Sequence, residues 1–212
     1  MTDVWSERAE LYRESEAHRE GEDLDLFVEW AEGRNVLDVA TGGGHVAKRL
    51  REAGHEVVTC DPAPGMQADV VCRAEDLPFA DGTFDVVTCR VAAHHFEDVA
   101  KAVSEMARVS SSFVLVADNL YLEETVEEAE RLRDPTHVRC YSEDEWRAFF
   151  ERAGLAFDDV QRFVKRIELE PWLERAGCDG AEAEQVRELL RDRIEDGRVV
   201  LTRIAFRGRK AA

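Results

Sequence analysis

Hydrophobic residues recur along this chain with two different spacings, and the change comes near residue 33. Over residues 5–32 the apolar residues stand at helical spacing among many acidic ones, and Gly21 interrupts the segment. Beyond residue 33, short apolar runs that end in Gly or Asp alternate with amphipathic stretches. The first part therefore predicts interrupted helix, and the remainder predicts strands alternating with helices.

The apolar runs predict strands at residues 36–40, 56–60, 70–72, 84–89, 113–117, 156–166 and 199–207. The amphipathic stretches predict helices over about 46–53, 99–109, 122–133, 143–153 and 182–195. Strands that alternate with helices form a parallel sheet with helices on both faces. The pattern therefore predicts an α/β fold.

One connection in this scheme is too short to contain a helix. Only eight residues, 62–69, join the second predicted strand to the third, whereas a parallel crossover usually takes about a dozen residues or more. Pro62, Pro64 and Gly65 lie in this segment, and these residue types oppose a regular helix. We therefore expect an irregular crossover here.

Composition limits the classes of partner. The 212 residues include 28 Lys or Arg and 46 Asp or Glu, a formal net charge of −18, with 44% hydrophobic residues. This is enough apolar material for one full-sized core, so we expect a single structural domain overall. A sequence pI near 4.8 opposes binding to nucleic acid or to anionic membrane surfaces.

The basic residues are strongly biased toward arginine, since only four of the 28 are lysines. Acid-rich, lysine-poor surfaces resemble those of cytoplasmic proteins from salt-accumulating cells, although a GC-rich codon bias would also favour arginine. No apolar run approaches the ~18 residues of a spanning helix, and there is no signal-peptide pattern. We therefore expect a cytoplasmic protein without membrane insertion.

The five cysteines are widely spaced and form no C-x-x-C pair. Neither a disulfide framework nor a cysteine metal site is indicated, and no metal is expected.

The turn after the first predicted strand has the features of a ligand site. Residues 38–44 read Asp-Val-Ala-Thr-Gly-Gly-Gly and stand between a strand and a helix. Ligands of doubly wound sheets sit outside the carboxyl ends of the strands, where small residues admit them to the backbone. With Asp61 following 17 positions after Gly44, the turn also satisfies a loose dinucleotide fingerprint. On its own the turn is a weak signal, since a tight strand-to-helix turn that binds nothing has the same pattern.

The surrounding residues distinguish these possibilities. The series Asp38-x-Ala40-x-Gly42-x-Gly44 resembles the first motif of class I S-adenosylmethionine-dependent methyltransferases. Residues 74–87, AEDLPFADGTFDVV, resemble a segment of the methyltransferase type 11 group, relatives of the ubiquinone/menaquinone C-methyltransferases. Three further segments resemble a narrower subgroup of small bacterial and archaeal members: residues 12–24, 89–98 and 132–138.

This resemblance implies a Rossmann-like, doubly wound sheet of seven mostly parallel strands whose last strand is antiparallel. It divides the chain into an N-terminal helical cap, residues 1–33, and a methyltransferase domain, residues 34–212. The implied activity is direct displacement of the methyl group of S-adenosyl-L-methionine by a small-molecule acceptor, leaving S-adenosyl-L-homocysteine. The protein would act as a monomer or homodimer.

The resemblance also implies a set of cofactor-binding residues. The backbone of Ala40, Thr41, Gly42 and Gly44 would pass under the methionine part, with Asp38 near its ammonium group. Asp61 would accept hydrogen bonds from both ribose hydroxyls, since a carboxylate can accept two at once.

Other positions would surround the rest of the cofactor. Because Arg73 stands where many relatives have an acid, recognition of the adenine amino group by a side chain is in question. Ala74 and Glu75 would contact adenine, and Pro62 and Met66 would take the place of the missing crossover helix. Cys89 and Arg90 would lie where the methionine tail and the acceptor meet. Tyr12 and His18 would lie on a helix that could close over the cofactor as a lid.

Three histidines are candidate general bases: His94, His95 and His137. An unperturbed imidazole, with a pKa of about 6.5, can take a proton from a hydroxyl, amine or enol. Adjacent residues cannot both face one site, so at most one of His94 and His95 would act, and neither need do so. Two alternatives stay open: a non-catalytic S-adenosylmethionine-binding protein, favoured by the short crossover, and an NAD-dependent oxidoreductase, disfavoured because no Tyr-x-x-x-Lys pair is present.

Overall fold

The computed structural model describes residues 4–15 and 19–210. Its helices are α1 (Val4–Glu14), α2 (Glu22–Trp30), α3 (His45–Glu52), α4 (Val99–Val109), α5 (Glu124–Arg133), α6 (Glu143–Arg152), α7 (Leu169–Ala176) and α8 (Gly180–Leu189). Its strands are β1 (Asn35–Val39), β2 (Glu56–Asp61), β3 (Val70–Val71), β4 (Phe84–Arg90), β5 (Ser110–Asn119), β6 (Leu155–Glu168), β7 (Ile194–Glu195) and β8 (Arg198–Lys210).

These strands form one sheet in the order β3-β2-β1-β4-β5-β8-β6, and the two-residue strand β7 pairs with β8. Neighbours from β3 to β5 are parallel, whereas β8 runs antiparallel to both β5 and β6. This confirms the predicted mostly parallel, Rossmann-like sheet with an antiparallel last strand. The carboxyl ends of β1, β2 and β4 consequently lie side by side at one edge.

Helices cover both faces of the sheet because each contributes one apolar side to a core. On one face α4 and α6 pack on the strands, and Trp146 and Phe150 join Phe206 in an aromatic cluster. On the other face Leu24 and Phe27 of α2 are buried with residues of α3 and the central strands. In the described part of the chain no helix has the length and apolarity to cross a membrane.

The C-terminal third departs from the sequence-based helix assignment. The helix predicted over 182–195 ends at Leu189, and residues 194–195 pair with β8 instead. Helix α7 was not predicted; it buries Leu169, Trp172 and Leu173 in a separate cluster with α5 and α8. Its apolar residues stand at helical spacing, but the helix is only eight residues long and contains Pro171, a residue type that reads as a break in a helical pattern.

The short crossover is irregular, as predicted. Within residues 62–69 the only regular turn described is a single 3-10 turn, Pro64–Met66. The crossover from β2 to β3 therefore contains no α-helix to cover this edge of the sheet.

Candidate functional site

A cavity of about 430 Å³ opens at the carboxyl ends of β1, β2 and β4, within the range of about 300–1,000 Å³ typical of small-molecule sites. Its lining includes many of the residues predicted from the sequence: Tyr12, Ala40, Thr41, Gly42, Asp61, Pro62, Met66, Ala74, Glu75, Arg90 and His95. The other predicted residues that the structure describes lie outside that lining: Asp38, Gly44, Cys89, His94 and His137. His18 falls outside the described residues.

The glycine turn has a left-handed backbone at three positions. Gly42 and Gly44 have φ of 51° and 76°, a region that glycine adopts readily. Ala40 has a φ of 52°, which is uncommon for a residue with a Cβ. A Cβ placed on Gly42 would meet nothing within 4 Å. Because Gly42 lines the cavity, this open space lets a ligand approach its backbone closely.

Asp38 lies behind this turn. Its buried carboxylate accepts hydrogen bonds from the hydroxyls of Thr41 (2.6 Å) and Thr88 (2.9 Å). Burial raises the pKa of Asp38 to about 6, although both hydrogen bonds oppose the rise. In the structure Asp38 thus fixes Thr41, which itself lines the cavity.

Asp61 joins the glycine turn to the crossover. One carboxylate oxygen accepts the Gly42 N–H (3.0 Å) and the other accepts the Ala63 N–H (2.9 Å). Asp61 is only 6% exposed, and it lines the cavity. A carboxylate oxygen can accept more than one hydrogen bond, so this group can receive ligand hydroxyls while it holds both backbone segments.

Helix α1 covers the edge that the short crossover leaves without a helix. The Ser6 hydroxyl accepts the Gly65 N–H (2.8 Å), and Arg13 donates to the Gly65 carbonyl (3.2 Å). Ala9 is buried against Ala63 and Met66. A Cβ on Gly65 would lie 2.6 Å from Cα and Cβ of Ser6, so glycine permits this close approach.

The same helix reaches the glycine turn. The Tyr12 carbonyl accepts a hydrogen bond from Nε2 of His45 (3.0 Å), at the start of α3. A Cβ on Gly43 would lie 2.8 Å from that carbonyl oxygen. Burial, together with the charge of Asp134, raises the pKa of Tyr12. α1 is thus seated on both polar turns that border the cavity.

Aromatic residues line the opposite half of the cavity, and His95 lies among them. The Trp5 ring meets the His95 ring edge to face, with centroids 4.6 Å apart. Nδ1 of His95 lies 3.0 Å from the Thr136 carbonyl. Because a carbonyl only accepts, Nδ1 carries the proton and Nε2 carries the lone pair. Burial and the neighbouring His94 lower the pKa of His95 to about 3, so the imidazole is neutral.

His94 faces away from the cavity into the protein. Its Nδ1 lies 2.5 Å from one oxygen of Asp118, and its backbone N–H donates to the other (2.9 Å). Burial opposes the charged form, but the carboxylate of Asp118 outweighs it and raises the pKa of His94. Asp118 was not predicted from the sequence; its signal is a polar residue ending the apolar run of β5.

His137 and Cys89 are buried away from the cavity lining. His137 Nε2 lies 3.2 Å from Oε2 of Glu127, and the Cys140 N–H also donates to that carboxylate. Single ligand atoms of Glu127, His137 and Cys140 lie within 4.8 Å of one another, a grouping that could hold a metal ion. Cys89 is fully buried, and burial raises its pKa well above the usual range, which leaves the thiol protonated.

Arg90 ends β4 beside the cavity, and its orientation depends on α2. Its Nε donates to Asp23 (2.6 Å), which also binds Arg203 (2.9 Å) and lies 3.6 Å from Lys165.

The carboxylate of Glu75 accepts the backbone N–H groups of Glu97 and Asp98 (3.1 and 3.4 Å). Sequence reasoning missed further lining residues that lie far apart in the chain: Trp5, Phe96, Thr136 and Val138.

Comparison with known proteins agrees with this geometry. The methyltransferase domain family matches residues 37–112. An uncharacterised methyltransferase of Bacillus subtilis, YcgJ, is 38% identical over 208 residues, covering 86% of this chain and 82% of its own length. Its crystal structure superposes with a TM-score of 0.79 at 32% identity, over 90% of this chain and 98% of that one.

Two further proteins are similar. A candidate methyltransferase of Bacillus halodurans has a TM-score of 0.79 at 30% identity, over 91% of this chain and 100% of its own. A demethylmenaquinone methyltransferase of Thermus thermophilus is 40% identical over 102 residues, 41% of this chain and 46% of its own length. The sheet order, the glycine turn and this similarity over most of the chain lead to one conclusion: the chain belongs to the class I S-adenosylmethionine-dependent methyltransferases, in the methyltransferase type 11 group.

Proposed function

We propose that the protein transfers a methyl group to a small-molecule acceptor bound in the aromatic half of the cavity, with His95 taking the proton that the acceptor loses. The observation that carries this proposal is the arrangement of one cavity. Asp61 and the glycine turn border one half, and the neutral ring of His95 borders the other. Cofactor and acceptor would therefore meet in a single cavity.

The residues present fit S-adenosylmethionine, which supplies a methyl carbon bonded to a positively charged sulfur. Asp61 is already fixed by two backbone N–H groups and can accept the ribose hydroxyls. The open space at Gly42 accommodates the methionine part, and Met66 and Pro62 border the adenosine side. Because the carboxylate of Glu75 is engaged by neighbouring backbone, we expect the backbone here to recognise adenine.

His95 suits an acceptor that carries a removable proton. As a hydroxyl or amine forms its bond to the methyl carbon, its own proton becomes strongly acidic, so even a weakly basic imidazole can accept it. Nδ1 of His95 is held by Thr136, which leaves the lone pair on Nε2. The rings of Trp5 and Phe96 would exclude water from the reacting atoms. We therefore expect an uncharged or weakly charged acceptor with a hydroxyl, amine or enol group.

Replacing the proposed base tests the reaction. We expect His95→Gln to lower kcat by about a hundredfold, because general-base catalysis contributes about 10²–10⁴ in rate. The measurement is S-adenosylhomocysteine formation with the best acceptor from a panel of hydroxylated and aminated small molecules. Affinity for S-adenosylhomocysteine, measured by calorimetry, should stay within about twofold of wild type, since the change lies outside the cofactor half.

His55→Gln is the matched control, because Nδ1 of His55 also lies 3.0 Å from a carbonyl, that of Gly33, away from the cavity. It should turn over at the wild-type rate. Wild-type kcat in His95→Gln would show that His95 does not accept the proton.

Gly65 gives a test of the wall formed by α1. Because a Cβ there would meet Cα of Ser6, Gly65→Ala should push α1 from the crossover. Overpacking of this kind costs about 1–3 kcal/mol, so we expect about tenfold weaker S-adenosylhomocysteine binding, measured by calorimetry, with faster tryptic cleavage in α1. Gly197→Ala strains a turn between β7 and β8 that has a φ of 75° and lies outside the cavity lining, so it should leave affinity unchanged. Unchanged affinity in Gly65→Ala would mean that α1 does not form the wall.

A further inference from the structure

Asp118 is a buried carboxylate that the reaction as proposed does not yet use. It lies at the carboxyl end of β5 and is only 2% exposed. Its oxygens accept the backbone N–H of His94 (2.9 Å), lie 2.5 Å from Nδ1 of the same residue, and accept the N–H of Asn119 (2.7 Å). Asp118 therefore holds one residue by its backbone and by its side chain at once.

His94 in turn connects two segments that line the cavity. Its carbonyl accepts the N–H groups of Val138 (2.9 Å) and Arg139 (3.2 Å). Thr136 lies two residues before Val138, and its carbonyl accepts the hydrogen bond from Nδ1 of His95 (3.0 Å). The direction of the His95 ring therefore depends on how His94 ties these segments together, and Asp118 fixes His94.

The two imidazoles also influence each other electrically. Their ring centroids lie 4.1 Å apart, and a proton held on His94 by Asp118 opposes a second proton on His95. Charged and titratable groups face this pair from every neighbouring element: Asp118 of β5, Glu130 and Arg133 of α5, Asp134 and His137 of the following loop, and Arg8 of α1 through its ion pair with Asp134.

We propose that Asp118 is a positioning residue of the methyl transfer: by holding His94 at two points, it keeps the His95 ring at the cavity with its proton on Nδ1 and its lone pair on Nε2. In the reaction the acceptor's proton passes to Nε2 of His95 and then to solvent, while Asp118 and His94 exchange none. This inference rests on the proposed function of His95, but its consequence for the histidine rings does not require an acceptor.

The test is ¹⁵N nuclear magnetic resonance of the histidine rings in wild type and in Asp118→Asn, with signals assigned from single histidine variants. In wild type we expect the neutral Nδ1–H form of His95 between about pH 5 and 8. In Asp118→Asn, His94 no longer fixes the His95 ring, so the His95 signals should show both neutral tautomers. With an acceptor, kcat should fall at least about tenfold while the Kd of S-adenosylhomocysteine is unchanged.

His94→Ala is a second variant in case Asp118→Asn does not fold, because it removes the side-chain bond to Asp118. It should produce the same change in the His95 signals. Asp98→Asn removes a carboxylate charge at the N-cap of α4, where the amide oxygen can still accept the Lys101 N–H, and it should leave those signals unchanged. The wild-type tautomer of His95 in folded Asp118→Asn and His94→Ala would overturn the inference. A failure of the proposed function would appear separately, as wild-type turnover in His95→Gln.

Discussion

Asp61→Asn should weaken S-adenosylhomocysteine binding by about a hundredfold or more. The variant keeps the shape of the side chain but removes its charge, and hydrogen bonds to a charged group contribute about 1.5–3 kcal/mol each. Two ribose hydroxyls would lose such bonds, a total of about 3 kcal/mol, which corresponds to a factor of about 10² in Kd. The amide nitrogen would also face the N–H of Gly42 or Ala63, which both point at the present carboxylate.

Calorimetric titration with S-adenosylhomocysteine measures this effect without an acceptor. Asp69→Asn is the matched control, since Asp69 lies in the same crossover and accepts the N–H and hydroxyl of Thr59 (2.8 Å each), outside the cavity lining. It should bind with wild-type affinity. A folded Asp61→Asn protein with a Kd within about threefold of wild type, equivalent to under about 1 kcal/mol, would show that Asp61 does not bind the ribose.

Much of the sheet could be predicted because its signals are local. The central parallel strands β1, β4 and β5 are largely buried on both faces, so each reads as a short apolar run such as Val86–Val87. The helices that pack on them carry one apolar side. Helix α7 escaped prediction because it is only eight residues long and contains Pro171, which reads as a helix break in the sequence.

The candidate site also contains residues that a local sequence pattern identifies and residues that it does not. Residues that act from a local turn, such as Gly42 and Asp61, follow from residue type and spacing at a strand end, and they line the cavity. Thr136 and Trp5 reach His95 from opposite parts of the chain, and no local pattern reports such a meeting. The contact between α1 and the short crossover is also non-local, because Ser6 and Gly65 are 59 positions apart in the sequence.

Among these variants, Asp23→Asn should lose the most stability, although Asp23 lies outside the cavity lining. Asp23 is fully buried in α2 and binds the guanidinium groups of Arg90 (2.6 Å) and Arg203 (2.9 Å), both buried themselves. Removing one member of such a pair leaves buried charges without a counterion and costs about 3–5 kcal/mol. We expect the free energy of unfolding, from urea titration near neutral pH, to fall by that amount.

The pH dependence gives an independent check. Burial alone would raise the pKa of Asp23, but Arg203, Arg90 and Lys165 outweigh it and hold the pKa well below its usual range. The contribution of Asp23 to the free energy of unfolding is therefore complete above its unfolded-state pKa of about 3.9. That contribution is lost as the pH falls from this value toward the lower pKa of Asp23 in the folded protein. The difference between wild type and Asp23→Asn should narrow by about 1.4 kcal/mol for each pH unit in that window.

Asp25→Asn on the same helix is the matched control, because Asp25 pairs with Arg49 at the surface. Exposed ion pairs contribute up to about 1 kcal/mol, so this variant should unfold almost as wild type does. An Asp23→Asn protein as stable as Asp25→Asn would mean that water or rearranged side chains reach Arg90 and Arg203. In that case Asp23 would not anchor α2 to β4 and β8, and the orientation of Arg90 beside the cavity would depend on other contacts.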